Sequence, residues 1–104
     1  MDCHVEQGDI IELETNRSLV LILSKNFFNK TGLSIVCPIV KKAAADALHI
    51  PVQSDTVQGT ALCEQLKTMD LERRHFRKTG SISYVQIQEI TDAVQSIFDY
   101  YPYG

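Results

Sequence analysis

The chain has 104 residues, 44% of them hydrophobic and 22% charged, and a net charge of −3. That length predicts one domain over residues 1–104, large enough to bury a core without staples, and the negative balance argues against a dedicated duplex-DNA binder. Three cysteines at unpatterned spacings, no secretory signal peptide and no apolar run near the ~20 residues of a membrane span predict a cytoplasmic protein with reduced thiols and no membrane contact.

Gly8 to Leu13 reads as a first strand, and Glu14-Thr15-Asn16 as a short polar turn leading to Arg17. Leu19–Leu23 and Leu33–Ile39 are short runs rich in Val, Ile and Leu, bounded by turn residues, so both read as buried strands at the centre of a sheet. Between them, Lys25 to Lys30 fits one turn of helix with Phe27 and Phe28 tucked beneath the sheet, and Gly32 is free to take positive φ. Pro38 lacks the N–H of a sheet ladder and marks an edge or a bend.

Residues 41–48, KKAAADAL, fit a loop or a helical turn. His49 to Val52 reads as a short strand and Ser54 to Gly59 as a turn. Thr60 to Met69 suits helix or strand, Asp70 to Arg74 a helical turn, and Phe76 to Ile82 a strand kinked at Gly80. Ser83 and Gln86 form a capping box. Ile87, Ile90, Val94, Ile97, Phe98 and Tyr101 follow as one helical stripe that needs the sheet as partner, and Pro102 ends the helix. Several short strands plus a terminal helix predict an α+β domain, mainly β, on a strongly bent sheet or small barrel.

All ten Lys and Arg lie between Arg17 and Lys78, where they face five acids, a local net charge of +5 on an acidic whole. That pattern suits an anionic ligand held in one place. His4, His49 and His75 are scattered without paired ligand spacing, so a zinc site is not expected. Cys37 and Cys63 sit in apolar strand contexts as core fillers. What remains for chemistry is Arg17 at the mouth of the second strand, Glu64 and Gln65 interrupting an apolar stretch, and a basic cluster with Lys67 and Arg73 to Lys78. Singly, each also reads as a solvated surface residue, and Arg17 as the ion-pair partner of Glu12 or Glu14. Jointly, an arginine, an acid and a basic rim are what phosphodiester chemistry requires.

An ordered set of short motifs carries a family resemblance: Gly8-Asp9-Ile10-Ile11, Arg17 before a strand ending in Ser24, Phe28-Asn29 before Thr31-Gly32-Leu33, Cys37-Pro38-Ile39, Gly59 with Cys63-Glu64-Gln65, and Lys67-Thr68-Met69-Asp70 leading to Arg73. In order and spacing, over nearly the whole chain, it resembles the MazF/PemK/Kid toxins of bacterial toxin–antitoxin systems. The resemblance implies an SH3-like barrel of the MazF/CcdB type with a C-terminal helix, and a homodimer. It implies a metal-independent endoribonuclease, needing no cofactor, that cuts single-stranded RNA, mainly messenger RNA. The 2′-hydroxyl attacks the neighbouring phosphate and leaves a 2′,3′-cyclic phosphate. The partner it implies is an antitoxin with an acidic, disordered tail.

By the same resemblance, Arg17 is the catalytic arginine and Glu64 the acid that orients or deprotonates the 2′-hydroxyl. Asn16, Ser18, Lys41, Lys42, Gln65, Lys67 and Arg74 are the RNA-contacting set. The chain departs from the pattern at Ser18, where the family has Pro, at Val40, where it has a catalytic Thr, at Glu64, where many members have Asp, and in a first loop of three residues. These departures leave two alternatives: a binding module that holds antitoxin or RNA without cutting, and a gyrase poison like CcdB.

Overall fold

A computed structural model describes residues 4–98. Seven antiparallel strands form one curled sheet: β1 (Asp9–Leu13), β2 (Leu19–Ile22), β3 (Leu33–Val40), β4 (His49–Gln53), β5 (Gln58–Leu62), β6 (Lys67–Asp70) and β7 (Phe76–Ser81). The spatial order is β4-β5-β3-β2-β1-β7, and β6 pairs with β3 beside β5. A one-turn helix, α1 (Asn26–Asn29), links β2 to β3, and α2 (Tyr84–Phe98) closes the described chain. Each central strand has a partner on both sides, as its unbroken apolar run demands.

The sheet buries both faces because it curls. Alternate residues of β2 separate cleanly: Leu21 and Leu23 pack with Cys37, Ala61, Cys63 and Ile90 under α2, while Val20 and Ile22 join Val5, Val36, Met69 and Leu71 on the opposite side. The result is a half-barrel with a C-terminal helix, the strongly bent, mainly β architecture that the sequence predicts. Cys37 and Cys63 are fully buried free thiols, and burial pushes Cys37 up to about 12 and Cys63 to about 11. In a Cys3→Ser background, Ellman's reagent should therefore label the native protein negligibly and react with two thiols only after unfolding.

β3 is long enough to serve two partners on one edge: Leu33–Val36 pair with β6, and Ile39–Val40 with β5. Pro38 sits at the changeover, where a missing N–H is tolerated, so the break falls in the partner strand and not in β3. The stretch that suits either helix or strand divides into β5 and β6 around a turn at Cys63–Leu66, and residues 41–48 are a loop. Gly32 has φ +91°, as its turn requires. β7 carries a bulge, with Ile10 opposite Gly80 and Ile11 opposite Lys78, leaving Thr79 as the extra residue beside the expected kink.

Three expectations fail locally. Phe27 is 75% exposed, not tucked beneath the sheet. One helical turn offers a single inward position, and Asn29 occupies it. Its Oδ1 accepts from the Ser24 hydroxyl (2.5 Å) and the Ser34 hydroxyl (2.7 Å), and its Nδ2 donates to the Ser24 carbonyl (2.9 Å). Phe27→Ser should accordingly change stability by under about 0.5 kcal/mol in urea titration. The second failure is half of the capping box. Ser83 Oγ accepts from the Gln86 amide, but the Gln86 side chain instead accepts from the amide of Gln53, stitching α2 to β4. Ile87, Ile90 and Val94 of the stripe pack as expected, whereas Ile97 and Phe98 stay exposed. Tyr101 and Pro102 lie outside the described residues, as does Cys3.

Candidate functional site

The β1–β2 hairpin presents Arg17. Leu13 N donates to Ser18 O (2.9 Å) and Arg17 N to Leu13 O (2.8 Å), closing a loop over residues 14–17. The last loop position must turn left-handed to re-enter the strand, and Arg17 does so with φ +59°. Glycine usually fills such a position. An L-residue there costs about 1–2 kcal/mol, and Arg17 is the one non-glycine with positive φ among the described residues. Asn16 supports the turn by accepting from the Ser18 amide (3.0 Å). The Arg17 guanidinium is exposed and pairs with neither expected acid: Glu12 binds Arg77 at 2.7 Å, and no ion pair or hydrogen bond holds the Arg17 side chain among the described residues.

The ladders place the rest. Glu14 N donates to His75 O (3.1 Å), so Arg74 and His75 flank the Arg17 loop from the β7 side. On the β3 side the ladder ends where Leu19 pairs with Ile39, and Val40, Lys41 and Lys42 follow, the two lysines in the exposed loop. Partners across a ladder share a face and alternate residues repeat it. Val40 pairs with Thr60, Thr60 with Pro51, and Leu62 with His49, so these residues share the face turned away from α2. Lys67, opposite Val36, belongs to that face too.

Where β4 begins and β5 ends stands an acid–imidazole–acid chain. His49 Nε2 lies 3.1 Å from Glu64 Oε2 and Nδ1 lies 3.1 Å from Asp46 Oδ2. Asp46 Oδ1 accepts from the amides of Leu48 and His49, both at 2.9 Å. The Glu64 hydrogen bond, followed by the Asp46 charge, raises the affinity of His49 for its proton. The same bond holds the Glu64 carboxyl below its usual value, helped by the Gln65 side chain. Asp46 is lowered chiefly by the Leu48 amide.

The raised His49 contributes stability below its ordinary 6.5 and loses it as pH climbs through the folded value. The lowered Glu64 contributes above its ordinary 4.5 and loses it as pH falls through the folded value. Thermal melts should show the largest gap between the native protein and Glu64→Gln between those two values, narrowing on either side.

The predicted residues fall into two sets along the chain and its ladders, and the basic cluster is divided between them, with Arg74 beside the β1–β2 hairpin and Lys67 beside Glu64. Asn16, Arg17, Ser18, Arg74, Lys41 and Lys42 gather at the hairpin end. Glu64, Gln65 and Lys67 gather at the β5–β6 turn. Arg17 and Glu64 form no ion pair with each other, and Glu64 is engaged by His49. Sequence reading missed Asp46 and His49. The available signal was the Asp-x-x-His spacing at the entry to a strand whose partner ends two residues before Glu64.

The sequence profile of PemK-like, MazF-like toxins of type II toxin–antitoxin systems matches residues 6–98. The chain belongs to that family. A search of curated protein sequences finds no match. Among solved structures, MazF in a MazE–MazF crystal from Deinococcus radiodurans superposes with a TM-score of 0.83 at 22% identity, covering 93% of this chain and 98% of that one. An endoribonuclease in complex with its cognate antitoxin, from a mycobacterial species, gives 0.80 at 12% identity, covering 95% and 100%. The toxin MazF-mt6 of Mycobacterium tuberculosis gives 0.71 at 19%, covering 89% and 99%. At these identities the superpositions establish a shared fold. Within this MazF-like toxin, Val40 offers no hydroxyl, and its β5 ladder partner, Thr60, carries one. No helix among the described residues is long and apolar enough to cross a membrane.

Proposed function

We propose that this toxin is a metal-independent endoribonuclease that cuts single-stranded RNA by attack of a 2′-hydroxyl on the adjacent phosphate. The observation that carries this reading is Arg17: an exposed guanidinium, free of carboxylate partners among the described residues, held in a conformation that only a constraint or a task explains. A surface arginine serving solubility needs no left-handed backbone. Around it stand Lys41, Lys42 and Arg74, exposed cations outside the ion pairs that absorb Arg73, Arg77 and Lys78.

In the reaction, the 2′-oxygen bonds to phosphorus and its proton passes to Glu64. The bond from phosphorus to the 5′-oxygen breaks with its electron pair on that oxygen, which takes a proton from water. Arg17 donates hydrogen bonds to the phosphorane oxygens and to the leaving oxygen. Lys41, Lys42, Lys67 and Arg74 hold neighbouring phosphates, with Asn16, Ser18 and Gln65 toward the bases. The family's pairing with antitoxins, together with the net +5 of residues 17–78, makes an acidic antitoxin tail the matching inhibitor. The toxin acts as a homodimer in the cytoplasm.

Val40 favours a second reading, a module that binds RNA or antitoxin without cutting it, because its side chain has no proton or hydrogen bond to offer a phosphate. Induced expression separates the two. The nuclease arrests growth and fragments messenger RNA, and Arg17→Ala relieves both. Unimpaired growth with intact messenger RNA at high expression contradicts it.

A further inference from the structure

We propose that His49 is a positioning residue for this reaction: clamped between Asp46 and Glu64, it fixes the Glu64 carboxylate at the β5–β6 turn and sets how far cleavage persists into alkaline pH. The inference rests on the nuclease reading above and adds a group to which that reading gives no part.

The geometry is a chain with no loose link. Two backbone amides hold Asp46, Asp46 holds Nδ1 of His49, and Nε2 of His49 holds Oε2 of Glu64. It joins two separate segments, the stretch from Asp46 into β4 and the β5–β6 turn. Glu64 has 36% of its side chain exposed, so the carboxylate is tied back by His49 yet still reaches solvent. An unclamped glutamate on such a turn samples many rotamers, and displacing a reacting group by ~1 Å costs about 100-fold in rate.

The groups facing the imidazole are all acidic or neutral. Asp46 and Glu64 touch it. Behind them, the Cys63 thiol lies within the influence of Glu64, Asp46 and Glu89 of α2, and Cys37 lies next to Cys63. This surrounding favours the imidazolium, which bonds a carboxylate far better than neutral imidazole does. When Glu64 receives the 2′-hydroxyl proton, the imidazolium keeps its own proton and its grip, and Glu64 then returns the proton to water. Raising the pH takes one of the two N–H donors, so neutral His49 can donate to Asp46 or to Glu64 but not to both, and its hold on Glu64 weakens.

The test measures kcat and KM on a single-stranded RNA oligonucleotide in EDTA across neutral and alkaline pH, for the native toxin, His49→Gln and His49→Lys. The His49 imidazole is titrated in parallel by NMR. Native kcat should fall at the pH where the NMR titration places His49. His49→Gln should lower kcat by about 10–100-fold with little change in KM, and lose that alkaline fall. His49→Lys, charged to about pH 10, should keep most activity and carry the fall upward by about two units or more. Coincident alkaline limbs in all three proteins, or a His49→Gln kcat within twofold of native, overturn the role of His49 and leave the nuclease reading standing. Absence of cleavage by the native toxin overturns both.

Discussion

Replacing Arg17 with glycine should make the protein more stable and nearly inactive. The left-handed backbone at this position costs an L-residue about 1–2 kcal/mol, and glycine removes that cost at the price of a more flexible unfolded chain. The net gain is about 1 kcal/mol, or roughly 4–8 °C in melting temperature for a domain of this size. Cleavage should fall by at least about 100–1000-fold, the scale of losing a principal donor to a developing oxyanion. Arg17→Ala keeps the backbone cost and loses the activity, so its melting temperature should stay near native. The pair separates backbone from side chain. A glycine variant less stable than native would mean that the guanidinium has a structural partner beyond the described residues. The pattern is a stability–activity exchange located at one φ angle.

The opposite outcome is expected at Asn29. Asn29→Leu keeps the size and removes the acceptor of two hydroxyls and the donor to the Ser24 carbonyl. Ser34 is 1% exposed, so its hydroxyl cannot turn to water. Each stranded group costs about 1–3 kcal/mol, giving a loss near 3 kcal/mol and a fall of roughly 15 °C. Ser24 Oγ also accepts from the Ile35 amide (2.9 Å), so the loss spreads into the start of β3. Adding Ser34→Ala removes one stranded hydroxyl and should recover part of the loss, a coupling that a double-mutant cycle reads directly. Activity per folded molecule should be unchanged, because α1 stands at the end of β2 opposite Arg17.

These two positions also mark where sequence reading works and where it stops. The central strands were legible because Leu19–Leu23 and Leu33–Ile39 are too short and too β-branched for helices, and the 3.6-residue stripe of α2 is unambiguous. The family motifs extend that reading over the chain. Asn29 was not legible as a buried residue, since its burial depends on two serines brought together by tertiary folding, and periodicity in a four-residue helix carries no information. Phe27 was placed inward by hydrophobicity alone, and lost that place to a hydrogen-bond network. The pairing of Glu64 with His49 was hidden for a related reason. The two are 15 residues apart, and only the β4–β5 register brings them together. Arg17 was legible as a candidate through its resemblance, but its left-handed backbone was not, because nothing in an arginine announces a position built for glycine.

The central claim is that this chain breaks RNA by an internal transesterification without a metal, and its products record the path most directly. A single-stranded RNA oligonucleotide incubated with the purified toxin in EDTA, and analysed by mass spectrometry, should give fragments ending in a 2′,3′-cyclic phosphate and beginning with a 5′-hydroxyl. The same oligonucleotide with 2′-deoxy at the cleaved position should survive. Equal cleavage of the 2′-deoxy substrate, or intact RNA at stoichiometric toxin, would contradict the account.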